Sequence, residues 1–221
     1  MEIKVGANIL AANEAIANEN RDSFRRHAAF AINLVSSPGA GKTTLLERTI
    51  DALKKSLSLG VIEGDIATSF DADRIRRHGT PAVQINTGGG CHLDAFMVSR
   101  ALASFDLTKI DLMLIENVGN LVCPAEFDLG EAAKVAIVSV TEGDDKPLKY
   151  PALFRGALAF VINKIDLLPY TDCSLARLRG GALSINPRLS VFEMSCRSGQ
   201  GLAAWYDWLE GETLRWRAGN E

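Results

Sequence analysis

Nine consecutive residues, Ser36-Ser37-Pro38-Gly39-Ala40-Gly41-Lys42-Thr43-Thr44, have the types and order to hold a phosphate chain. Free N–H groups in such a loop, and in the first turn of a helix opening at Lys42, would point at an anion, and the helix dipole favours negative charge there. Pro38 to Thr44 are the residues expected to line the phosphates, with Lys42 reaching the outer two and the Thr43 hydroxyl holding Mg²⁺. The glycine usual six positions before the lysine is Ser36 here; Gly39 and Gly41 still allow a tight turn. Two acids fit beside this loop. Asp65 ends an apolar run, where a metal- or water-positioning carboxylate belongs, and Glu116 ends another, followed three residues later by Gly119. The Gly119 N–H could sense a γ-phosphate, and Glu116 could join Thr43 and Asp65 at Mg²⁺, although it is one methylene longer than the usual Asp. Lys42, Thr43, Asp65 and Glu116 are thus the expected catalytic set. No arginine suited to the γ-phosphate is evident in the phosphate-facing loops, so slow hydrolysis is expected of the isolated monomer.

A third group, Asn163-Lys164-Ile165-Asp166, selects a base. The Asp166 carboxylate can accept from guanine N1–H and the N2 amine, a pair that adenine lacks. The Lys164 stem can cover the base face, and Asn163 can tie this loop to the phosphate loop. Leaving such a group unpaired against the wrong base costs roughly 10⁴-fold in selectivity. Ser195-Cys196-Arg197 resembles a backbone-donor loop for guanine O6.

Cys91-His92 and Cys123 offer two thiolates and an imidazole, a donor set for Zn²⁺, Ni²⁺ or Cu⁺. Cys91 follows a Gly-rich loop, and Cys123 lies four residues beyond Gly119, inside the segment expected to respond to the γ-phosphate. Three ligands leave a tetrahedral shell one short, to be filled by water or by a second subunit. On spacing alone, two unrelated cysteines and a surface histidine account for the pattern better. Cys173 and Cys196 read as structural.

The elements that must carry these groups follow from hydrophobic periodicity. Strands are expected at 30–35, 59–65, 81–86, 111–115, 135–140, 157–162 and 189–194. Helices are expected at 7–29, after Lys42 with Leu45, Leu46, Ile50, Leu53 and Leu57 on one stripe, at Asp71–Arg77 as a solvated face, at 94–105, after Pro147, and around Trp205, Trp208 and Leu209. Strand–helix alternation argues for a doubly wound, mostly parallel α/β sheet of the P-loop NTPase class, with the nucleotide across its carboxyl edge. The expected division is an N-terminal helical arm, residues 1–29, and a nucleotide domain, residues 30–221. The arm has a thin apolar stripe and could pack on the domain, pair with a partner or fray. With 47% hydrophobic residues among 221, a large core is affordable. A net charge of −3 without a basic block speaks against nucleic acid and acidic membranes as partners. Four cysteines do not make a disulfide framework. No apolar run has the length of a membrane span and Met1-Glu2-Ile3-Lys4 is no signal peptide, so a cytoplasmic location is expected.

Six stretches together resemble the HypB family of hydrogenase nickel-incorporation GTPases: the Ser36–Thr44 loop, Glu63-Gly64-Asp65, Thr87-Gly88 leading to Cys91-His92-Leu93, Glu116 through Cys123-Pro124, Glu142-Gly143-Asp144-Asp145-Lys146, and Asn163-Lys164-Ile165-Asp166. The similarity spans about residues 30–210. It implies a dimerising GTP hydrolase that helps load Ni²⁺ into [NiFe]-hydrogenase, with Cys91, His92 and Cys123 as the metal ligands at or near a dimer interface. It also implies work alongside other nickel factors and the hydrogenase large subunit, with GTP, Mg²⁺ and Zn²⁺ or Ni²⁺ as ligands. The N-terminal Cys-rich motif or His-rich tract of some members is not in this sequence. A urease-accessory-type GTPase would share the nucleotide motifs but carry a Cys-Pro-His metal motif. A GTP-gated binding module with a structural zinc is the other alternative.

Overall fold

The structure, a computed structural model, describes residues 5–65 and 74–220, the side chains of residues 5–8 excepted. Its centre is a seven-stranded sheet of strands β1 (Phe30–Ser36), β2 (Leu59–Asp65), β3 (Ala82–Asn86), β4 (Leu112–Glu116), β5 (Ala133–Ser139), β6 (Ala157–Asn163) and β7 (Ser190–Glu193). They lie in the order β3-β2-β4-β1-β5-β6-β7, and every pairing is parallel. Parallel strands covered on both faces read as unbroken apolar runs, as in Phe30–Val35, where every residue is buried.

The helices form the outer layers: α1 (Val5–Arg26), α2 (Lys42–Leu53), α3 (Ala95–Leu102), the one-turn α4 (Cys123–Glu126), α5 (Lys146–Lys149), α6 (Pro151–Gly156), α7 (Leu175–Ile185) and α8 (Leu202–Ala218). On one face Ile32, Leu34, Val61 and Leu114 meet Leu45, Leu46 and Ile50 of α2 and Trp205 and Leu209 of α8. Trp205 is fully buried, and its indole N–H donates to Thr49 Oγ1 at 3.0 Å. On the other face Ala31, Ile62, Met113 and Ile115 meet Phe24 of α1 and Val98 and Ala101 of α3.

The N-terminal helix packs on this second face. Besides Phe24, two buried asparagines fix it: Asn13 accepts from Ala95 N (2.8 Å) and donates to Asp128 O (2.7 Å), and Asn20 donates to Ala95 O (2.8 Å) and Leu129 O (3.0 Å). An Arg21–Asp128 ion pair lies alongside.

The sheet order reverses around β1: the chain runs outward to β2 and β3, returns to insert β4 beside β1, then builds β5 to β7 on the other side. That is where a nucleotide crevice forms in such sheets, at the carboxyl ends of the strands. The helix α7 has no counterpart in the expected elements, because Gly180-Gly181 interrupts its helical signal; the Ser174 cap, accepting from Arg177 N at 3.3 Å, and buried Leu178 and Ala182 specify it instead. The helix expected at Asp71–Arg77 starts outside the described residues, and 74–76 is helical.

Candidate functional site

The loop between β1 and α2 turns through Gly39 (φ 75°) and Gly41 (φ 100°), and an added Cβ on Gly41 would run into Asn163 Nδ2. Only glycine satisfies both the left-handed backbone and that contact. The first helical bond of α2 runs from Leu45 N to Gly41 O at 2.9 Å, so the N–H groups of Lys42, Thr43 and Thr44 lie ahead of the helical ladder and face the cleft. Lys42 is buried, with its ammonium donating to Ser36 Oγ at 2.9 Å, and Ser36 Oγ donates to Ser37 O at 2.6 Å. The residue that departs from the usual glycine therefore holds the lysine in place.

A cavity of about 490 Å³ opens in front of this loop. Pro38, Gly39 and Gly41 to Thr44 line one wall, Asp65, Glu116 and Gly119 the other. Thr43 Oγ1 donates to Glu116 Oε1 at 3.0 Å, a reach that the extra methylene of Glu allows. Hydroxyl and carboxylate oxygens converging from α2, β2 and β4 are a hard donor set suited to Mg²⁺. Gly119 packs against Pro38, so closely that a Cβ would sit 3.0 Å from its ring and backbone. The cavity is also lined by Glu63, buried two residues before Asp65, and by Arg74, neither of which was assigned a role from the sequence. The Arg74 guanidinium pairs with Glu47, Nη2 to Oε2 at 2.7 Å and Nε to Oε1 at 3.0 Å. An arginine thus does border the phosphate cavity, from a segment read as a solvated face.

The adjoining cavity, about 250 Å³, shares Gly41, Thr44 and Lys164 with the first and adds Asn163, Asp166, Leu167, Cys196 and Arg197. Asn163 is the post between them. Its Nδ2 donates to Ala40 O (2.8 Å) and its Oδ1 accepts from Cys196 N (3.1 Å). Lys164, held at φ 63°, donates to Gly39 O at 2.7 Å and lies along the cavity. Asp166 Oδ1 is buried without a hydrogen-bond partner among the described residues, which a buried carboxylate tolerates poorly unless a ligand supplies the donors. A guanine edge fits that requirement. Ser195 stands behind this wall. It is fully buried, its N–H donates to Gln200 O (2.9 Å) and its Oγ accepts from Ser198 N (3.1 Å). Burial pushes the Cys196 thiol up to about 11, so it stays protonated.

Beyond the phosphate end, the structure brings Cys91, His92 and Cys123 together. Their ligand atoms all lie within 4.8 Å of one another, with Sγ–Sγ 3.2 Å and Cys91 Sγ to His92 Nδ1 3.5 Å. Cys91 and His92 come from the loop after β3; Cys123 opens α4, seven residues after β4 ends. A bridge fixes one loop to the other: Asn120 donates to Cys91 O (3.3 Å) and accepts from Val122 N (2.9 Å). Phe127 stacks on His92 with ring centroids 3.9 Å apart. Burial holds the His92 imidazole below its usual value, against the opposing field of Asp94, which favours the neutral, ligating form. The Cys91 hydrogen bond, then burial, push the Cys123 thiol up, so a metal would displace a proton there. The cluster is exposed at Cys91 and half-buried at the other two.

Residues 30–193 match the family model for the CobW/HypB/UreG nucleotide-binding domain. The chain is 54% identical over 213 residues to the hydrogenase maturation factor HypB of Rhizobium leguminosarum bv. viciae, covering 96% of this chain and 71% of that protein. The crystal structure of HypB from Archaeoglobus fulgidus superposes with a TM-score of 0.86 at 42% identity, covering 92% of this chain and 99% of that one. HypB from Helicobacter pylori in complex with nickel gives a TM-score of 0.87 at 36% identity, over 92% and 96% of the two chains. The match over residues 30–193 and the identity to these relatives place the chain in the CobW/HypB/UreG nucleotide-binding family, among the HypB hydrogenase maturation factors.

Proposed function

We propose that the chain is a GTP-hydrolysing nickel metallochaperone of [NiFe]-hydrogenase maturation, whose Cys/His site responds to nucleotide state and to dimerisation. The observation that carries this reading is positional: the segment that lines the phosphate cavity, Asn117 to Gly119, continues directly into the loop and helix that present Cys123. The nickel complex of the relative supports nickel as the cargo. In the nucleotide site Asp166 reads guanine, Lys164 covers the base, and Lys42 with the first-turn N–H groups of α2 neutralises the phosphates. Thr43, Asp65 and Glu116 would hold Mg²⁺, which supplies charge neutralisation on the β- and γ-oxygens when bound. The Glu47 pair restrains Arg74 at the edge of the same cavity.

Cys91, His92 and Cys123 offer three of four tetrahedral positions, which leaves room for a ligand from a second copy or from the acceptor. An open position suits a cargo site that must both take up and release its ion. Among the described residues no helix is long and apolar enough to cross a membrane, in keeping with work in the cytoplasm beside other nickel factors and the hydrogenase large subunit.

The test is complementation. In a host lacking its own factor, this chain should restore nickel to the hydrogenase large subunit, and Cys91→Ala/Cys123→Ala should not. Full restoration by the double variant would refute the cargo role, and equal turnover of ATP and GTP by the purified protein would refute the base assignment.

A further inference from the structure

One strand of the core carries a residue that packing alone does not explain. In β1, Phe-Ala-Ile-Asn-Leu-Val-Ser, Asn33 is fully buried between apolar neighbours. A buried amide costs about 1–3 kcal/mol if left unpaired, so its partners matter. Asn33 Oδ1 accepts from Asn117 Nδ2 (3.2 Å), and its Nδ2 donates to Glu131 Oε1 (3.1 Å). Both partners are themselves buried.

Each end of this chain reaches a different half of the metal site. Asn117 Oδ1 accepts twice, from Val118 N (2.9 Å) on the phosphate side and from Leu93 N (3.0 Å), the residue after His92. At the other end Glu131 Oε2 accepts from Leu129 N (2.7 Å), and Oε1 lies 3.7 Å from Lys134 Nζ. That ammonium donates to Ala125 O (3.0 Å), in the helix that Cys123 opens, and to Phe127 O (3.2 Å), whose ring stacks on His92.

We propose that Asn117, Asn33, Glu131 and Lys134 are positioning residues: a buried relay that ties the phosphate-facing segment to both loops of the metal site, so that nucleotide state sets how Cys91 and His92 stand relative to Cys123. This rests on the nucleotide and metal reading above. The shared acceptor is the sensitive point. Whatever reorients the Val118 N–H towards a phosphate alters the hold of Asn117 Oδ1 on Leu93 N. Movement of the loops as whole bodies is opposed by α1, whose Asn13 and Asn20 pin Ala95 on one side and Asp128 and Leu129 on the other. The side chain of Leu93 also abuts Gly64, where a Cβ would meet it at 2.8 Å. A change at Asn117 therefore appears between these pins, at the ligands. Fully satisfied buried networks of this kind have few alternative arrangements, which suits transmission of discrete states.

The experiment is a Ni²⁺ titration of the full chain, followed by thiolate-to-metal absorption, in the GDP-bound and GTP-analogue-bound states. Wild type should show affinities that differ by about 5- to 150-fold, the usual range of coupling between two sites. Asn33→Leu removes the relay without touching nucleotide or metal. In it the ratio should fall to within about twofold of one while GTP affinity is unchanged, which a merely structural role would not produce. Should Asn33→Leu fail to fold, Lys134→Met, at a partly exposed position that keeps the apolar stem, decides by the same ratio. A wild-type ratio that persists in the folded variants overturns the relay and leaves the coupling reading intact. A wild-type ratio of one overturns both.

Discussion

The nucleotide half and the metal half of this molecule are built differently. Around the phosphate loop, side chains are committed to fixed partners, Lys42 and Asn163 from buried positions: Lys42 on Ser36, Thr43 on Glu116, Asn163 on Ala40 and Cys196, Lys164 on Gly39. Each comes from a strand end or from the first turn of a helix. The metal half is made of two loops from strands that are not neighbours, since β2 lies between β3 and β4, and Cys91 is exposed. A preorganised site binds without rearranging and spends its binding energy on selectivity. A partly open site with an incomplete ligand set can exchange its ion. The contrast suits a device in which tight nucleotide binding governs looser cargo binding.

The largest effect that could break this contrast lies at the base. Asp166→Asn should weaken GTP and admit xanthosine triphosphate, shifting the preference between them by up to roughly 10⁴-fold in competitive nucleotide binding. Unchanged GTP affinity would remove the guanine assignment. Next in size, Lys42→Ala should lower phosphate release from GTP by about 10²–10³-fold, as expected when one preorganised donor to developing charge is lost. A loss under tenfold would mean that the lysine held by Ser36 does not work on the phosphates.

In the metal half, Cys91→Ala or Cys123→Ala should weaken Ni²⁺ or Zn²⁺ by at least about 10- to 100-fold at neutral pH, the range that loss of an outer-shell partner alone produces. GTP turnover without metal should change little. Metal binding should release protons and weaken on acidification, because the Cys123 thiol is pushed up and must be deprotonated. A competition titration with a chromogenic chelator at several pH values checks both.

The smallest effect concerns the junction of the halves. Burial pushes the Glu131 carboxyl above its usual value, against the favourable field of Lys134 and the hydrogen bonds from Asn33 and Leu129. Its folded form therefore keeps a proton that the unfolded chain has released. Between the ordinary glutamate value, about 4.3, and the raised folded value, this group lowers stability as pH rises. Glu131→Gln carries no such proton. The difference in unfolding free energy, wild type minus variant, should decline through weakly acidic pH, as read from denaturant unfolding curves. A flat difference would show that the carboxyl ionises normally inside the fold.

Local motifs were legible in the sequence because their chemistry is local. The Ser36–Thr44 loop and Asn163–Asp166 each follow directly from a strand, so strand, loop and helix signals reinforced one another. The metal site was legible only through family resemblance. Cys91-His92 and Cys123 are far apart in the chain, and the sheet order brings them together, with Leu93 seated on Gly64. The connecting residues were not legible at all. Glu131, Lys134 and Asn33 belong to no motif, and nothing in one sequence says which polar residues will be buried together. Arg74 was not picked out for a related reason: its charged neighbours look solvated, while Glu47 holds its guanidinium at the cavity edge. Helix α7 escaped because Gly180-Gly181 hides an apolar pair that tertiary packing uses.

On the function proposed above, an incomplete, loop-borne metal site is completed under nucleotide control. Native mass spectrometry of the purified chain with one Ni²⁺ equivalent per subunit, in GDP and in a non-hydrolysable GTP analogue, measures metal and subunit stoichiometry at once. The analogue should shift the population to a dimer, the metal content per subunit should differ between the two nucleotide states, and Cys91→Ala/Cys123→Ala should abolish the metal without abolishing nucleotide binding. The same oligomeric state and the same metal occupancy in both nucleotides would contradict nucleotide control of the metal site.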